Sequence, residues 1–471
     1  MYNNQDTICA ISTPIGEGGI SIVRLSGEKT FSIMKTVYHG KGNIDEYSGH
    51  TLHRGQIVDP KFGEIDDVMI GIFRAPHSYT GEDLIEINSH GGKLITQKII
   101  DLLISSGARI AEPGEFTKRA FLNGKIDLTQ AEAIADMISA KSDVALKFSL
   151  KSLNGEYGNY ITKYHKELMD LCGLIELELD FVEDDVQFVK REDLLKKIND
   201  VISEIDTMIQ SFNLGKLFKD GIKIVLVGKP NVGKSTILNG LLMSERAIVS
   251  EIPGTTRDFI EDTFTYKGLL FRLIDTAGIR ITDDFIEKEG MERTKKQIKE
   301  ADVVVYIFDL TQEYEEGDID FYKTDITNSL KCNRKVIGIF NKCDLFDTDI
   351  DIIDTFNKEK LRLIFDKNNV IKLSATNKDD IEKLRDKFVD IVSDFNSMEY
   401  NRVVTNIRHR DSLKKARASL LKSIEAISLG ESSEFISVHF RGALNALGEI
   451  TGSVTNDDIL NNIFSNFCIG K

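Results

Sequence analysis

The sequence predicts a multidomain chain of α+β and α/β type: an N-terminal α+β domain, a helical domain formed by two chain segments, and a doubly wound α/β domain inserted between those segments. Three textures predict it. Residues 1–125 are rich in Gly and β-branched residues, with short apolar runs between turn signals. Residues 126–217 and 385–471 are helical in pattern. Over 218–384, apolar strands alternate with helical segments, which implies a mostly parallel sheet covered on both faces.

In chain order, Ile20-Ser21-Ile22-Val23 and Val68-Met69-Ile70-Gly71-Ile72-Phe73 read as strands, and Gly16-Glu17-Gly18-Gly19 and His90-Gly91-Gly92 as turns. Asp127-Leu128-Thr129-Gln130 reads as a helix N-cap with its partner three residues on, ahead of a helix over 131–138. A longer helix is expected over 161–181, with Leu168, Leu171, Cys172, Ile175 and Leu179 on one face. The strands expected in the inserted domain are Ile222–Val227, Phe271–Ile274, Val303–Phe308, Val336–Phe340 and Val370–Leu373. The Asp-rich stretch 345–360 reads as a solvated loop. Helical segments on both sides fit one interrupted domain; two separate helical domains are the alternative, and the sequence alone does not choose.

A chain of 471 residues is long enough for about two to four domains. No uninterrupted apolar run is long enough to span a bilayer, and the opening residues lack a secretory signal's basic start and apolar stretch. A cytoplasmic protein without a membrane partner is therefore expected. The five cysteines are scattered, with no zinc-like pair and no disulfide framework. The formal charge of −15 argues against a broad nucleic-acid-coating surface, which would need clustered cations. It leaves room for a local basic patch. The best segment is Arg402–Lys422, with Arg408, His409, Arg410, Lys414, Lys415 and Arg417, although a solvated helix face is the plainer reading.

Gly228-Lys229-Pro230-Asn231-Val232-Gly233-Lys234-Ser235 fits the phosphate-loop pattern in full, after an expected strand and before an expected helix. Its glycines let backbone N–H groups turn around phosphates, Lys234 brings a point charge, and the Ser235 hydroxyl suits Mg²⁺. Three more motifs follow in order, each at a strand end: Asp275-Thr276-Ala277-Gly278, Asn341-Lys342-Cys343-Asp344 and Ser374-Ala375-Thr376. Asp275 can hold Mg²⁺ through water, and the Gly278 amide can meet a γ-phosphate. The Asp344 carboxylate can accept both the N1–H and the exocyclic amine of guanine. Together they predict a Ras-like domain that binds and hydrolyses GTP.

The nucleotide-binding residues expected are Asn231, Val232, Gly233, Lys234, Ser235 and Thr236; Asp275, Thr276, Ala277 and Gly278; Asn341, Lys342 and Asp344; and Ser374 and Ala375. Between the first two motifs, Ser250, Glu251, Ile252, Pro253, Gly254, Thr255 and Thr256 form a switch segment, with Thr256 as the second Mg²⁺ hydroxyl. Ile279 follows Gly278 where Ras-like enzymes carry a water-positioning Gln, and an apolar side chain cannot orient water. Glu287 is the candidate for that role, although Asp283, Asp284, Glu289 and Glu292 are as eligible on the residues alone. Asn231 could ligate a monovalent cation beside the phosphates, doing the charge work of an arginine finger.

The flanks narrow the reading. The run from Asp6 through Thr13-Pro14, Gly18-Gly19 and Arg24 to Ser26-Gly27 resembles the opening of the MnmE (TrmE) family of tRNA-modification GTPases. So do Ser78 to Glu86, Pro113 to Lys125, and the closing Phe467-Cys468-Ile469-Gly470-Lys471. The resemblance covers the whole chain. It implies a homodimer built through the N-terminal domain, working on tRNA with the flavoprotein MnmG (GidA), in a heterotetramer. The pair would install an aminomethyl-type group on C5 of the wobble uridine, with FAD on the partner. It implies a tetrahydrofolate derivative (5,10-methylene or 5-formyl) held by Arg24, Glu86, Lys125 and Lys471. It also implies K⁺ held by Asn231, Ser250, the Ile252 main chain and Thr255, and it puts the catalytic carboxylate on Glu287. Cys468 has the right chemistry for a nucleophile, but a packed cysteine at a structured tail is at least as good a reading. The competing function is a ribosome-assembly switch of the Era or EngA type. That class expects a basic RNA-binding module, which the sequence does not offer.

Overall fold

The structure is a computed structural model that describes residues 6–180, 190–243, 262–274, 297–312, 314–332, 334–345, 365, 369–393, 403–465 and 467–471. The chain divides into two compact units. One comprises Met1–Ile138, Ser149–Asp206 and Arg408–Lys471; the other comprises Ser139–Phe148 and Thr207–Ile407.

The first unit begins with β1 (Ile8–Ile11), β2 (Gly18–Ser26), α1 (Thr30–Val37), β3 (Tyr38–Gly40), β4 (Thr51–Asp59), β5 (Gly63–Phe73), β6 (Leu84–Gly91), α2 (Lys93–Ser105), β7 (Arg109–Ile110) and α3 (Glu115–Leu122). Its sheet runs β3-β4-β5-β6-β2-β1-β7, antiparallel throughout except that β7 lies parallel to β1. Alternate residues Val23, Leu25, Val68, Ile70, Ile72, Ile85 and Ile87 enter one core with Ile99, Leu102 and Leu103 of α2. Gly18, Gly19, His90 and Gly91, expected in turns, lie in strands instead. Gly18 pairs with Gly91 and a bulge follows before Ile20, so ladder hydrogen bonds outweigh the turn preference of glycine.

Helices α4 (Leu128–Ser139), α5 (Asp143–Leu153), α6 (Glu156–Asp180) and α7 (Arg191–Asp220) follow. The expected cap of α4 is present as a reciprocal pair. The Gln130 amide donates to Asp127 Oδ1 at 2.8 Å, and the Asp127 amide donates to Gln130 Oε1 at 2.9 Å. Leu168, Leu171, Cys172 and Ile175 of α6 are buried on one face, as their spacing requires.

The second unit contains β8 (Ile222–Val227), α8 (Lys234–Leu242), β9 (Asp262–Tyr266), β10 (Leu269–Leu273), β11 (Val303–Asp309), α9 (Glu316–Lys331), β12 (Lys335–Asn341), β13 (Val370–Lys372) and α10 (Lys378–Ser393). The sheet order is β13-β12-β11-β8-β10-β9, parallel except at the β9–β10 hairpin. Both faces are covered. Ile224, Val305, Ile307 and Ile339 pack with α8 and α10, while Val225, Val304, Tyr306 and Phe308 pack with α9. Strand β8 has β10 on one side and β11 on the other, so the chain reverses its direction of travel across the sheet there. Ligands of open parallel sheets bind at such a switch point, outside the carboxyl ends of the strands.

Helices α11 (Ile407–Leu429), α12 (Ser433–Thr451) and α13 (Asp457–Phe464) close the chain. Segments from both flanks of the inserted domain thus build one helical domain, within the first unit. A buried polar cluster joins them. Glu132 of α4 accepts from Arg408 Nε at 2.9 Å and Nη2 at 2.8 Å, and lies 2.7 Å from His409 Nε2. Arg408 also donates to the carbonyls of Glu449 and Ile450 on α12, and the His409 ring stacks on Tyr157 of α6 at 5.2 Å. Burial alone would raise the Glu132 carboxyl. The His409 and Arg408 partners overcome it and bring the pKa from 4.5 down to about 2. Beyond this cluster, the last residues lie against β1: Ser12 Oγ donates to the Gly470 carbonyl at 3.1 Å, and Gly470 adopts φ 93°. A Cβ there would meet the Ile11 carbonyl at 2.1 Å, so only glycine fits.

Glu132→Ala is expected to destabilise the first unit by about 3–5 kcal/mol, because it leaves buried cations without their carboxylate. The Glu132 contribution is present above pH 4.5 and is lost as pH falls toward 2. Urea unfolding followed by circular dichroism at pH 7 and pH 3 checks both; an unchanged midpoint in the variant refutes the role of the cluster.

Candidate functional site

The phosphate loop leaves β8 and enters α8 at Lys234. Asn231 takes a left-handed φ of 62°, and Gly233 a φ of 99°. A Cβ on Gly233 would lie 2.2 Å from Asn341 Nδ2, so the approach of the two loops excludes any side chain at that position. Val232 is buried, whereas Asn231, Ser235 and Thr236 are exposed around the helix N-terminus. The Lys234 ammonium lies over the loop and donates to the carbonyls of Gly228 at 2.8 Å and Lys229 at 2.7 Å. Burial pushes its pKa below the usual lysine range. A cation in that state favours an incoming anion that would hold the charge.

Asn341 ends β12 and is 1% exposed. Its Nδ2 donates to the Val232 carbonyl at 2.8 Å, and its Oδ1 accepts from the Ala375 amide at 2.9 Å. One amide therefore ties the phosphate loop, the third motif and the fourth into a single surface. Lys342 has φ 65° and places its ammonium 2.6 Å from Asp309, at the end of β11. Asp344 is exposed in a short 3₁₀ turn over Cys343–Leu345. The Ser374 amide donates to Asp380 at 2.9 Å, and the Ser374 and Thr376 hydroxyls are bonded at 2.9 Å. The expected residues Ser250, Glu251, Ile252, Pro253, Gly254, Thr255, Thr256, Asp275, Thr276, Ala277, Gly278 and Glu287 lie outside the described residues.

The sequence reading missed Asp309, Asp318 and Asp380. Asp309 could have been found as a carboxylate closing an otherwise apolar strand. Asp380 opens the helix after the fourth motif, where acidic residues suit the first turn.

In the first unit, Arg24 of β2 and Glu86 of β6 are directly opposed across the sheet. Arg24 Nε donates to Glu86 Oε1 at 2.9 Å, and its guanidinium lies 5.1 Å from the Tyr79 ring. Arg24 Nη1 is buried without a hydrogen-bond partner. Lys471 reaches the same place: burial, and next the charge of Arg24, hold its pKa below the usual range, with Cys468 and Glu86 opposing. Lys125 instead donates to the Pro76 carbonyl at 3.0 Å. Cys468 is an exposed free thiol. Glu115 and Arg119, from the Pro113–Lys125 run, serve the fold. Glu115 accepts from Arg109 Nη2 at 2.8 Å and from Arg119 Nη2 at 2.9 Å, and Arg119 continues to Glu82.

The basic stretch on α11 is not an open cationic face. Arg408 and His409 are held by Glu132, Arg410 lies 2.7 Å from Asp411, Lys415 lies 3.3 Å from Glu449, and Arg417 lies 2.5 Å from Asp206. Lys414 and Lys422 remain exposed, and Arg402 lies outside the described residues. Among the described residues, no helix is long and apolar enough to cross a membrane.

Comparison with known proteins gives two family matches. The model described as GTP-binding protein TrmE N-terminus matches residues 7–125, and the MnmE helical domain matches residues 128–468. Among individual proteins, tRNA modification GTPase MnmE of Carboxydothermus hydrogenoformans is 41% identical over 471 residues, covering 99% of this chain and 100% of the relative. The protein of that name from Clostridioides difficile is 40% identical, with 99% of each chain covered. Among solved structures, the G-domain of FeoB from Methanococcus jannaschii aligns with 24% identity and a TM-score of 0.25, over 36% of this chain and 97% of that one.

Asn341→Ala leaves the Val232 carbonyl and the Ala375 amide without their partner, at a cost of about 1–3 kcal/mol. Affinity for fluorescent GDP is expected to fall by about tenfold. Equilibrium titration checks this, and unchanged affinity would show that the tie is dispensable.

Proposed function

Because this chain belongs to the MnmE (TrmE) family of tRNA modification GTPases, we propose that it is a potassium-dependent GTP hydrolase that acts with the flavoprotein MnmG to modify C5 of the wobble uridine in tRNA. The observation that carries the GTPase reading is the Asn341 amide, bonded at once to Val232 and Ala375. It draws the phosphate-binding and base-reading loops together at the switch point of a parallel sheet.

In this reading, the backbone amides of the phosphate loop and the N-terminus of α8 receive the β- and γ-phosphates, with Lys234 supplying charge. Asp344 reads the N1–H and amine edge of guanine, and Ala375 closes over the base. Ser235 and Thr256 offer the hydroxyl oxygens that a hard divalent cation prefers, and Asp275 is of the type to hold such an ion through water. Asn231, Ser250, the Ile252 carbonyl and Thr255 offer only neutral oxygens, which suits K⁺. Such an ion would supply positive charge to offset the charge that develops during hydrolysis. Glu287 orients the attacking water, the role left open by Ile279. The switch segment orders with GTP, two G domains of a homodimer meet, and hydrolysis releases them.

The N-terminal site fits a tetrahydrofolate. Its bound anion and pteridine need cations and a carboxylate, and the unpartnered Arg24 Nη1, the low-pKa Lys471 amine and Glu86 supply those types together. Arg24, Lys125 and Lys471 hold the glutamate carboxylates, and Glu86 accepts from the amino edge of the ring. The folate supplies the one-carbon unit, and FAD on the partner supplies redox chemistry.

Cells lacking their own copy are expected to lose C5-modified wobble uridines and to recover them when given this gene, as read by mass spectrometry of tRNA nucleosides. Nucleosides that never change, while GTP is still hydrolysed, would overturn the tRNA assignment. Arg24→Ala is expected to fail to restore the nucleosides while GTP turnover in vitro is unaffected. Glu287→Ala is expected to keep GDP affinity and lower kcat by about a hundredfold; weakened binding instead would remove Glu287 from the water-positioning role.

A further inference from the structure

Two carboxylates outside the nucleotide motifs hold a lysine on each wall of the nucleotide site. Asp318 lies in the first turn of α9, where it accepts from the Glu315 amide at 3.1 Å and pairs with the Lys229 ammonium in the phosphate loop. The Lys229 ammonium also lies 5.1 Å from the centre of the Tyr314 ring. The Tyr314 hydroxyl accepts from the Asp309 amide at 2.9 Å. Asp309 itself is 1% exposed, accepts from the Thr311 amide at 2.8 Å and the Thr311 hydroxyl at 2.6 Å, and faces Lys342 at 2.6 Å. Lys229 belongs to the phosphate wall and Lys342 to the base wall. The connection between them runs through side chains that follow β11.

We propose that Asp318 and Asp309 are positioning residues that pre-organise both walls of the nucleotide site, acting through Lys229 and Lys342. A loop held in its binding shape beforehand does not lose that freedom when nucleotide arrives, so ordering counts toward affinity. The two pairs are charge-assisted and at least partly shielded from water, which makes them stronger than exposed ion pairs. Asp318 is fixed by its own helix before it meets Lys229, so the brace has a rigid base. The bound states of substrate and transition state gain equally from such a brace. Its loss therefore raises KM and leaves the chemical step alone.

This inference rests on the reading of the loop as a GTP site. The test uses the full chain with fluorescent GDP and steady-state GTP hydrolysis. Asp318→Asn is expected to weaken GDP binding by about threefold to tenfold and to raise KM, with kcat at saturating GTP and the unfolding midpoint unchanged. Lys229→Met is expected to weaken GDP binding alike, and the double variant to be no worse than either single one, since all remove the same pair. Asp309→Asn is expected to raise KM through the base wall; if it does not fold, the Asp318 measurements stand alone. Unchanged affinity in Asp318→Asn, a fall in kcat at constant KM, or additive losses in the double variant overturn the brace. Failure of the unaltered protein to bind guanine nucleotide instead overturns the reading of the site.

Discussion

The nucleotide site depends on one buried side-chain amide. Asn341 presents a donor and an acceptor in fixed opposition, and each meets a main-chain group from a different loop. Its place at the end of β12, next to β11 and one strand further from β8, decides which loops it can reach. The absence of a side chain on Gly233 then follows, because the two loops approach too closely for one. An unpaired amide in that position would carry a full desolvation penalty, so the loops and the sheet stabilise one another. Sheet order, loop spacing and motif chemistry are a single constraint seen at three scales.

The two sites share an electrostatic design on unrelated scaffolds. Lys234 sits at a helix N-terminus over loop carbonyls, and Lys471 feels the charge of Arg24, which lies on an antiparallel sheet. In both, an ammonium is held where its charge is disfavoured, by burial at Lys234 and by burial and a like charge at Lys471. An arriving anion would relieve that penalty at either position. The surrounding groups then differ as the two tasks differ. Rigid backbone amides suit phosphate oxygens, and a mixed cation–carboxylate set suits a ligand with both acidic and amino edges.

The fold and the nucleotide loops were legible because each rests on local rules. Apolar strands followed by motif residues place Gly228, Asn341 and Ser374 at strand ends without tertiary information. The reciprocal cap at Asp127 and Gln130 was equally local. The proposed N-terminal site had no local signal and rested on family resemblance alone, since Arg24, Glu86 and Lys471 are drawn from β2, β6 and a segment far along the chain. One misreading has a physical cause: Gly18 and Gly91 look like turn residues until the strand pairing is known. On α11 the solvated-face reading holds for Lys414, Lys415 and Lys422, whereas Arg408 and His409 turn inward to Glu132. Asp309 and Asp318 escaped notice because a carboxylate's partner in another loop leaves no periodic signal.

The bond between Ser12 and Gly470 spans 458 positions of sequence. A contact that distant carries a large loop-closure entropy unless the intervening chain is already compact. The strands β8–β13, by contrast, complete their sheet from a contiguous stretch, so the inserted unit can fold early and shorten the effective loop. The clasp of the tail against β1 is then among the last native contacts to form. By that order of contacts, the Arg24–Lys471 constellation is expected to assemble later than the sheet of the inserted unit.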